Sequence, residues 1–264
     1  MGNLQKIYFG ILTSIRHALA SIIFGGALLL IWNLIIFYFN VKSYVFPTPY
    51  EIALSVIHNW NILLSAFDTT LRESVSGLAL AFIASILSAP IVGRVKIVQK
   101  TIMPYLLMVQ TTPIVAIAPL FVLWFGEGIE SRIASSFAVT LIPMTIAIAQ
   151  AFAVEDGGRR DLYKVFGVGR MKSFFNVTLP LAVPGIISSL KFGVALAVVG
   201  AIVGELVTAD AGLGYVIIQA SYELNTPLLF AAIFLAAIIG LMFYIVVALV
   251  SDLIHLDRYY ISER

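Results

Sequence analysis

The chain contains no cysteine, which excludes disulfides and thiolate metal sites and leaves its redox compartment unread. Its three histidines are scattered, and no His, Asp or Glu cluster has metal-ligand spacing. The phosphate-cradling pattern G-x-x-x-x-G-K-[ST] is missing; GVGRMKS at 167–173 has the wrong order. Without a nucleophile–base constellation, an intramembrane enzyme is disfavoured. Charge is scarce too. Asp, Glu, Lys and Arg form 11% of the 264 residues, against 61% hydrophobic. A soluble domain carries about twice that share of charge to cover its surface, so lipid must supply much of the solvent. Mean hydropathy is +1.02, in keeping with this. No cleavable signal is expected: the apolar run after Lys6 and Arg16 is too long for a signal core, and no A-x-A site follows.

Crossing the hydrocarbon core takes about 20 mostly apolar residues. Five uncharged stretches qualify, at 18–39, 74–92, 101–125, 133–154 and 227–250. A sixth, 181–207, qualifies despite Lys191 and Glu205, the only charges inside the spans so drawn. Uniform hydrophobicity rich in Leu and Ala favours helices over the alternating short strands of a barrel. The expected fold is an all-α membrane protein of six transmembrane helices. With the N-terminus inside, only Lys42, Arg72 and Arg132 fall outside, and Lys191 lies within a span. The other twelve of the sixteen basic residues are then cytoplasmic, so both termini are placed there. The expected organisation is a cytoplasmic segment at 1–17, one transmembrane domain at 18–254 and a cytoplasmic segment at 255–264.

Beyond the first span, Thr48, Pro49 and Glu51 form a capping-box pattern. Ile52, Val56, Ile57, Trp60, Leu63 and Leu64 follow at helical spacing, which predicts an amphipathic helix on the outer surface. The alternative is a loop packed against neighbouring spans. The other outside segment, 208–227, has glycines and an amphipathic middle, as a folded external element or shallow re-entrant loop would. In the third span, Gln110, Thr111, Thr112, Pro113 and Pro119 are polar or helix-disrupting, so this span either kinks within the packing or lines a pathway. Lys191 either snorkels to the inner interface or serves as a gate or helix tie. Glu205 is either interfacial or functional at the outer mouth, where it follows the small-residue face of Gly193, Ala197 and Ala201 and the pair Gly200/Gly204. Trp124 and Tyr215 read as interfacial anchors.

The 155–180 loop is long for a helix connection and both charged and sticky. Asp161 suits the start of a helical piece, and Gly167 can take a positive φ that ends it. Such a helix, displaying Tyr163 and Phe166, either docks on a protein partner or lies flat among headgroups. The spacing resembles the EAA-x3-G-x9-I-x-LP signature of permease subunits of ATP-binding-cassette importers. Asp161 takes the Glu position, Gly167 the Gly, Val177 the Ile, and Leu179-Pro180 the final pair; Leu162 and Tyr163 stand where the two alanines would be. FPTP at 46–49, Arg72, TPIVAIAPLFVLWFG at 112–126, LPLAVPGIISSLKFGVALA at 179–197, Glu205 and GLGY at 212–215 are similar to the nitrate/sulfonate/taurine-type permeases.

That resemblance implies a type I importer permease fold in the cell membrane, with 155–180 as the coupling loop that seats in an ATPase subunit. It implies partners as well: two ATPase subunits, a second and identical permease copy, an external solute-binding protein and a small solute, with no nucleic acid. ATP and Mg would sit on the ATPase, and this chain would carry no cofactor. Asp161, Leu162, Tyr163, Phe166, Gly167, Val177, Leu179 and Pro180 are the expected coupling residues. Gln110, Thr111, Thr112, Pro113, Lys191 and Glu205 are the expected pathway residues. A self-sufficient secondary transporter is the rival reading; few buried ionisable residues and no inverted-repeat breaks argue against it.

Overall fold

The computed structural model describes residues 2–153, 165–208 and 210–253. Every regular element among them is helical: α1 (Gly2–Phe39), α2 (Pro49–His58), α3 (Trp60–Arg94), α4 (Lys96–Gln110), α5 (Ile114–Phe125) and α6 (Ile129–Ala153) lead. Then come α7 (Arg170–Ser173), a π-helical turn (Phe174–Thr178), α8 (Leu179–Thr208), α9 (Gly212–Tyr222) and α10 (Thr226–Leu253). Helices α3, α6 and α10, and α8 taken with the turns leading into it, are long and apolar enough to cross a membrane. In α1 the apolar stretch Ile23–Phe39 is shorter.

Two expectations change. The span at 101–125 is not one helix: α4 and α5 meet at 92°. Thr111 turns its hydroxyl onto the Met108 carbonyl at 2.7 Å, and Pro113 has no N–H to continue the ladder. The span at 74–92 is longer than its apolar core, because α3 already begins at Trp60. Trp60, Leu63 and Leu64 therefore belong to α3, and the external helix is the shorter α2.

The described residues form two compact units, one comprising the chain up to Trp60 with Ala220–Ala231, the other the remainder. In the first, Trp32 stacks on Phe46 with centroids 4.9 Å apart, and Phe230 sets its edge against both rings. The Trp32 indole N–H donates to the Pro47 carbonyl at 3.0 Å, and the Thr226 hydroxyl donates to the Tyr44 carbonyl at 2.6 Å. The expected capping box is complete. The Glu51 N–H donates to Thr48 Oγ1 at 3.2 Å, and the Thr48 N–H donates to Glu51 Oε2 at 2.7 Å. That backbone bond from Thr48 holds the Glu51 carboxyl below its ordinary value of 4.5. A depressed folded value stabilises above the unfolded pKa and is lost as pH falls through the folded one. The amide protection factor of Thr48 is therefore expected to fall on acidification below pH 4.5, and Glu51→Gln to flatten that dependence in hydrogen exchange.

The second unit is built on α3, α6 and α8, with α8 the most enclosed of the membrane-length helices. Its small-residue face does what the sequence pattern predicts. A Cβ at Gly200 would lie 2.7 Å from the Ser136 Cα, and one at Gly204 2.9 Å from the Arg132 Cα, so α8 and α6 touch backbone to backbone there. The Ser136 hydroxyl bridges the seam to the Ala197 carbonyl at 2.8 Å. Ser85 on α3 meets Thr145 on α6 at 2.9 Å. Towards the far end, Ala89, Val92, Met144, Ile148, Phe152, Ala182 and Ile186 close an apolar core.

Candidate functional site

At the break between α4 and α5, Gln110, Thr111, Thr112 and Pro113 are all exposed. The last turn of α4 tightens here: the Thr111 N–H reaches the carbonyls of Leu107 and Met108 at 3.2 Å, and the Thr112 N–H that of Val109 at 3.1 Å. A proline-broken helix frees carbonyls for other partners, and in lipid such backbone persists where it lines a cavity or packs on protein. Lys191 is half-buried on α8. Helical rise puts it about 21 Å from Glu205, so the two do not pair.

Glu205 sits within the packed helices of this chain. It is fully buried, and both carboxyl oxygens take protein donors. The Thr70 hydroxyl donates to Oε1 at 2.6 Å, and the Gly214 N–H donates to Oε2 at 2.6 Å. The Leu213 N–H in turn donates to Thr70 Oγ1 at 2.9 Å. A hydroxyl from α3 and a carboxyl from α8 thereby satisfy two amides of the first turn of α9, where a helix has no internal acceptors and favours negative charge. Gly212 has φ +90, and a Cβ on it would overlap the Glu205 carboxyl. This explains the GLGY stretch: its glycines let the backbone close on Glu205.

Three more charged residues meet beside it. Arg132 on α6 sets Nε 3.0 Å from Glu73 Oε1 on α3, while its Nη1 donates to Asp210 Oδ1 at 2.9 Å and to the Ala211 carbonyl at 3.4 Å. The Glu73 contact is an ion pair rather than a hydrogen bond, since neither Glu73 oxygen nor Arg132 Nε has a hydrogen-bond partner among the described residues. Glu73 is fully buried and Arg132 nearly so, whereas Asp210 is half exposed. Helices α3, α6 and α8 and the turn before α9 thus converge on two buried carboxyls and one guanidinium.

At the other end, Asp161, Leu162 and Tyr163 lie outside the described residues. Gly167 has the positive φ expected of it, +65, in open space. Val165, Phe166, Met171 and Phe175 are exposed around it, Phe166 at 76%. The turn that follows, from Phe174 to Leu179, is anchored. Val177 is buried, Leu179 packs on the apolar core, and Pro180 stays exposed. Phe174 stacks on Phe152 of α6, centroids 5.9 Å apart and planes within 16°. The Arg94 guanidinium, from the last turn of α3, stands 5.7 Å over the Phe174 ring and donates to Thr178 Oγ1 at 3.0 Å. The described part of the loop is thus an exposed apolar turn followed by an anchored stem.

The family described as binding-protein-dependent transport system inner membrane component matches residues 78–256. The chain belongs to that family. The relatives below match more than four-fifths of the chain. A probable ABC transporter permease protein of Haemophilus influenzae is 32% identical over 226 residues, 86% of this chain and 92% of the relative. The formylaminopyrimidine transport permease protein ThiX of Halalkalibacterium halodurans is 29% identical over 227 residues, 86% and 90% of the two chains. The putative aliphatic sulfonates transport permease protein SsuC of Bacillus subtilis is 27% identical over 224 residues, 83% and 80%. The protein is an ATP-binding-cassette transporter permease, a multi-pass membrane transport component rather than an enzyme.

Thr70, Glu73 and Asp210 were not singled out in the permease sequence, and Arg132 only as one of three outside basic residues. Glu73 fell one residue outside the apolar run at 74–92, and Arg132 one residue outside 133–154. The available signal was Thr70 and Glu73 three apart on one helix face, directly before that run. No pattern in the sequence ties them to Glu205, 135 residues from Thr70.

Proposed function

We propose that this permease is the six-pass translocation subunit of an ATP-driven, binding-protein-dependent importer of a small solute. Its transmembrane domain is 18–254, with 1–17 and 255–264 in the cytoplasm. Two identical copies enclose the pathway, two ATPase subunits dock on the 155–180 loops from inside, and an external solute-binding protein delivers cargo. ATP and Mg are bound by the ATPase and not by this chain. The exposed break of Gln110, Thr111, Thr112 and Pro113 faces the solute, with Lys191 towards the inner gate. Glu205 acts beside the pathway by anchoring α9. Asp161, Leu162, Tyr163, Phe166 and Gly167 form the docking tip, and Val177, Leu179 and Pro180 its stem.

One observation carries the coupling reading: the loop presents Val165 and Phe166 to solvent beside a positive-φ glycine while its following turn is locked to α3 and α6. A headgroup-embedded loop would have no need of that anchorage. The solute reading leans on the relatives, whose names specify formylaminopyrimidine and aliphatic sulfonates. The test is reconstitution of the permease with its ATPase and binding protein in vesicles, using formylaminopyrimidine and an alkanesulfonate as probes. Accumulation of one probe that requires ATP and the binding protein is expected. Uptake driven by an ion gradient with no ATPase present would establish the secondary transporter instead.

A further inference from the structure

Helix α3 is tied to α8 at one end and to the turn leading into α8 at the other. Near one end the Thr70 hydroxyl meets Glu205, and near the other Arg94 meets Thr178. At 1.5 Å of rise per residue, the ties are about 36 Å apart along α3 and about 40 Å apart along α8. Between them the two helices sandwich α6, with Gly77 of α3 and Gly200 of α8 both closing on Ser136. The tie at the Arg94 end has the less regular backbone. The Leu179 N–H bonds back to the Phe174 carbonyl, five residues earlier, so Phe174–Thr178 is a π-helical turn. Such turns give up part of the favourable α geometry and are common at functional sites. Held by nothing else, this one would be the natural place for loop motion to dissipate before it reached α8.

Arg94 prevents that. Its guanidinium touches the turn at both ends, over the Phe174 ring at the start and on the Thr178 hydroxyl at the finish. The planar fork is suited to this double task, one face on an aromatic ring and one N–H on an oxygen. Phe174 is backed in turn by Phe152, at the end of α6. The turn is thereby clamped between α3 and α6, the two helices that carry Glu73 and Arg132 at their opposite ends.

We propose that Arg94 is the positioning residue that couples the cytoplasmic loop to the outer end of the bundle. By fixing the π-helical turn, it makes displacement of the loop move α3 and α8 as one frame, and through Thr70 and Glu205 that frame carries α9. This rests on the coupling role proposed above. Arg94 touches neither solute nor nucleotide; it acts through Thr178 and Phe174.

The experiment needs no knowledge of the cargo. The permease is co-purified with its ATPase and reconstituted in lipid discs. Each permease copy carries a spin label at Glu223→Cys, just beyond α9, and the label-to-label distance is compared between nucleotide-free and MgATP-vanadate states. Wild type is expected to switch between two distances. Arg94→Ala is expected to retain the ATPase and hydrolyse ATP, with the switched fraction lowered about tenfold, the scale of a lost charge-assisted hydrogen bond. Thr178→Val, which removes only the acceptor, is expected to lower it in the same direction, and Arg94→Lys to restore part of it. Arg94→Ala or Thr178→Val switching as wild type does would overturn the proposal. So would an Arg94→Ala that fails to accumulate while Thr178→Val switches normally, because Arg94 would then be only a folding contact. Failure of wild type itself to retain an ATPase would bring down the coupling reading instead, a separate result.

Discussion

Replacing Arg132 with Met is expected to cost the permease on the order of 3–5 kcal/mol, because it takes the ion-pair partner away from the fully buried Glu73. Glu73 is fully buried and Arg132 Nε, at 3.0 Å, is its compensating charge. No hydrogen bond from any other described residue reaches either Glu73 oxygen. Two charges removed together leave no such deficit, so Arg132→Met with Glu73→Gln is expected to recover most of the loss. The measurement is thermal unfolding of the detergent-purified single and double variants, run as a cycle with Glu73→Gln. If the double variant is no more stable than Arg132→Met, the cost belongs to the Asp210 and Ala211 contacts and not to the buried pair.

This cluster also marks where a linear reading of the chain stops. Span limits drawn by hydropathy end at the nearest charge, and that rule left Glu73 and Arg132 just outside their spans. A charge facing lipid does end a span, but one facing a partner inside the bundle need not, and which applies depends on helices brought together in three dimensions. Glu205 was noticed because it lay far enough inside its run, yet its work could not be read: its donors come from Thr70 on another helix and from an amide of α9. The broken span at 101–125 has a similar cause. Twenty-five residues without a charge suggest continuity, whereas a proline preceded by two threonines that can bond their own backbone provides a local way out of the helix. Features that depend only on close neighbours were legible. The Thr48–Glu51 box, the positive φ at Gly167 and the close face of Gly200 and Gly204 all follow from residues within a few positions of one another.

Gly167→Arg is expected to leave a stable, inserted permease that no longer retains its ATPase. Within the permease the change is cheap: nothing lies within 4 Å of a Cβ at this position. The backbone at φ +65 disfavours a side chain by only about 1–2 kcal/mol. A large functional loss from so small an internal cost would have to originate outside the chain, where the arginine meets whatever covers Val165 and Phe166. Those side chains are 82% and 76% exposed, ready anchors for a groove on another protein. Changing Tyr163 and Phe166 together to Ser removes anchors without adding bulk, and is expected to weaken ATPase retention by at least about tenfold. A loop lying flat among headgroups gives the opposite pattern: less binding to anionic vesicles and unchanged ATPase recovery. Pull-down of the ATPase by each purified variant, with thermal unfolding as the control for folding, separates the two. Full recovery of the ATPase by both variants would remove the 155–180 loop from the interface and leave its exposed phenylalanines to lipid.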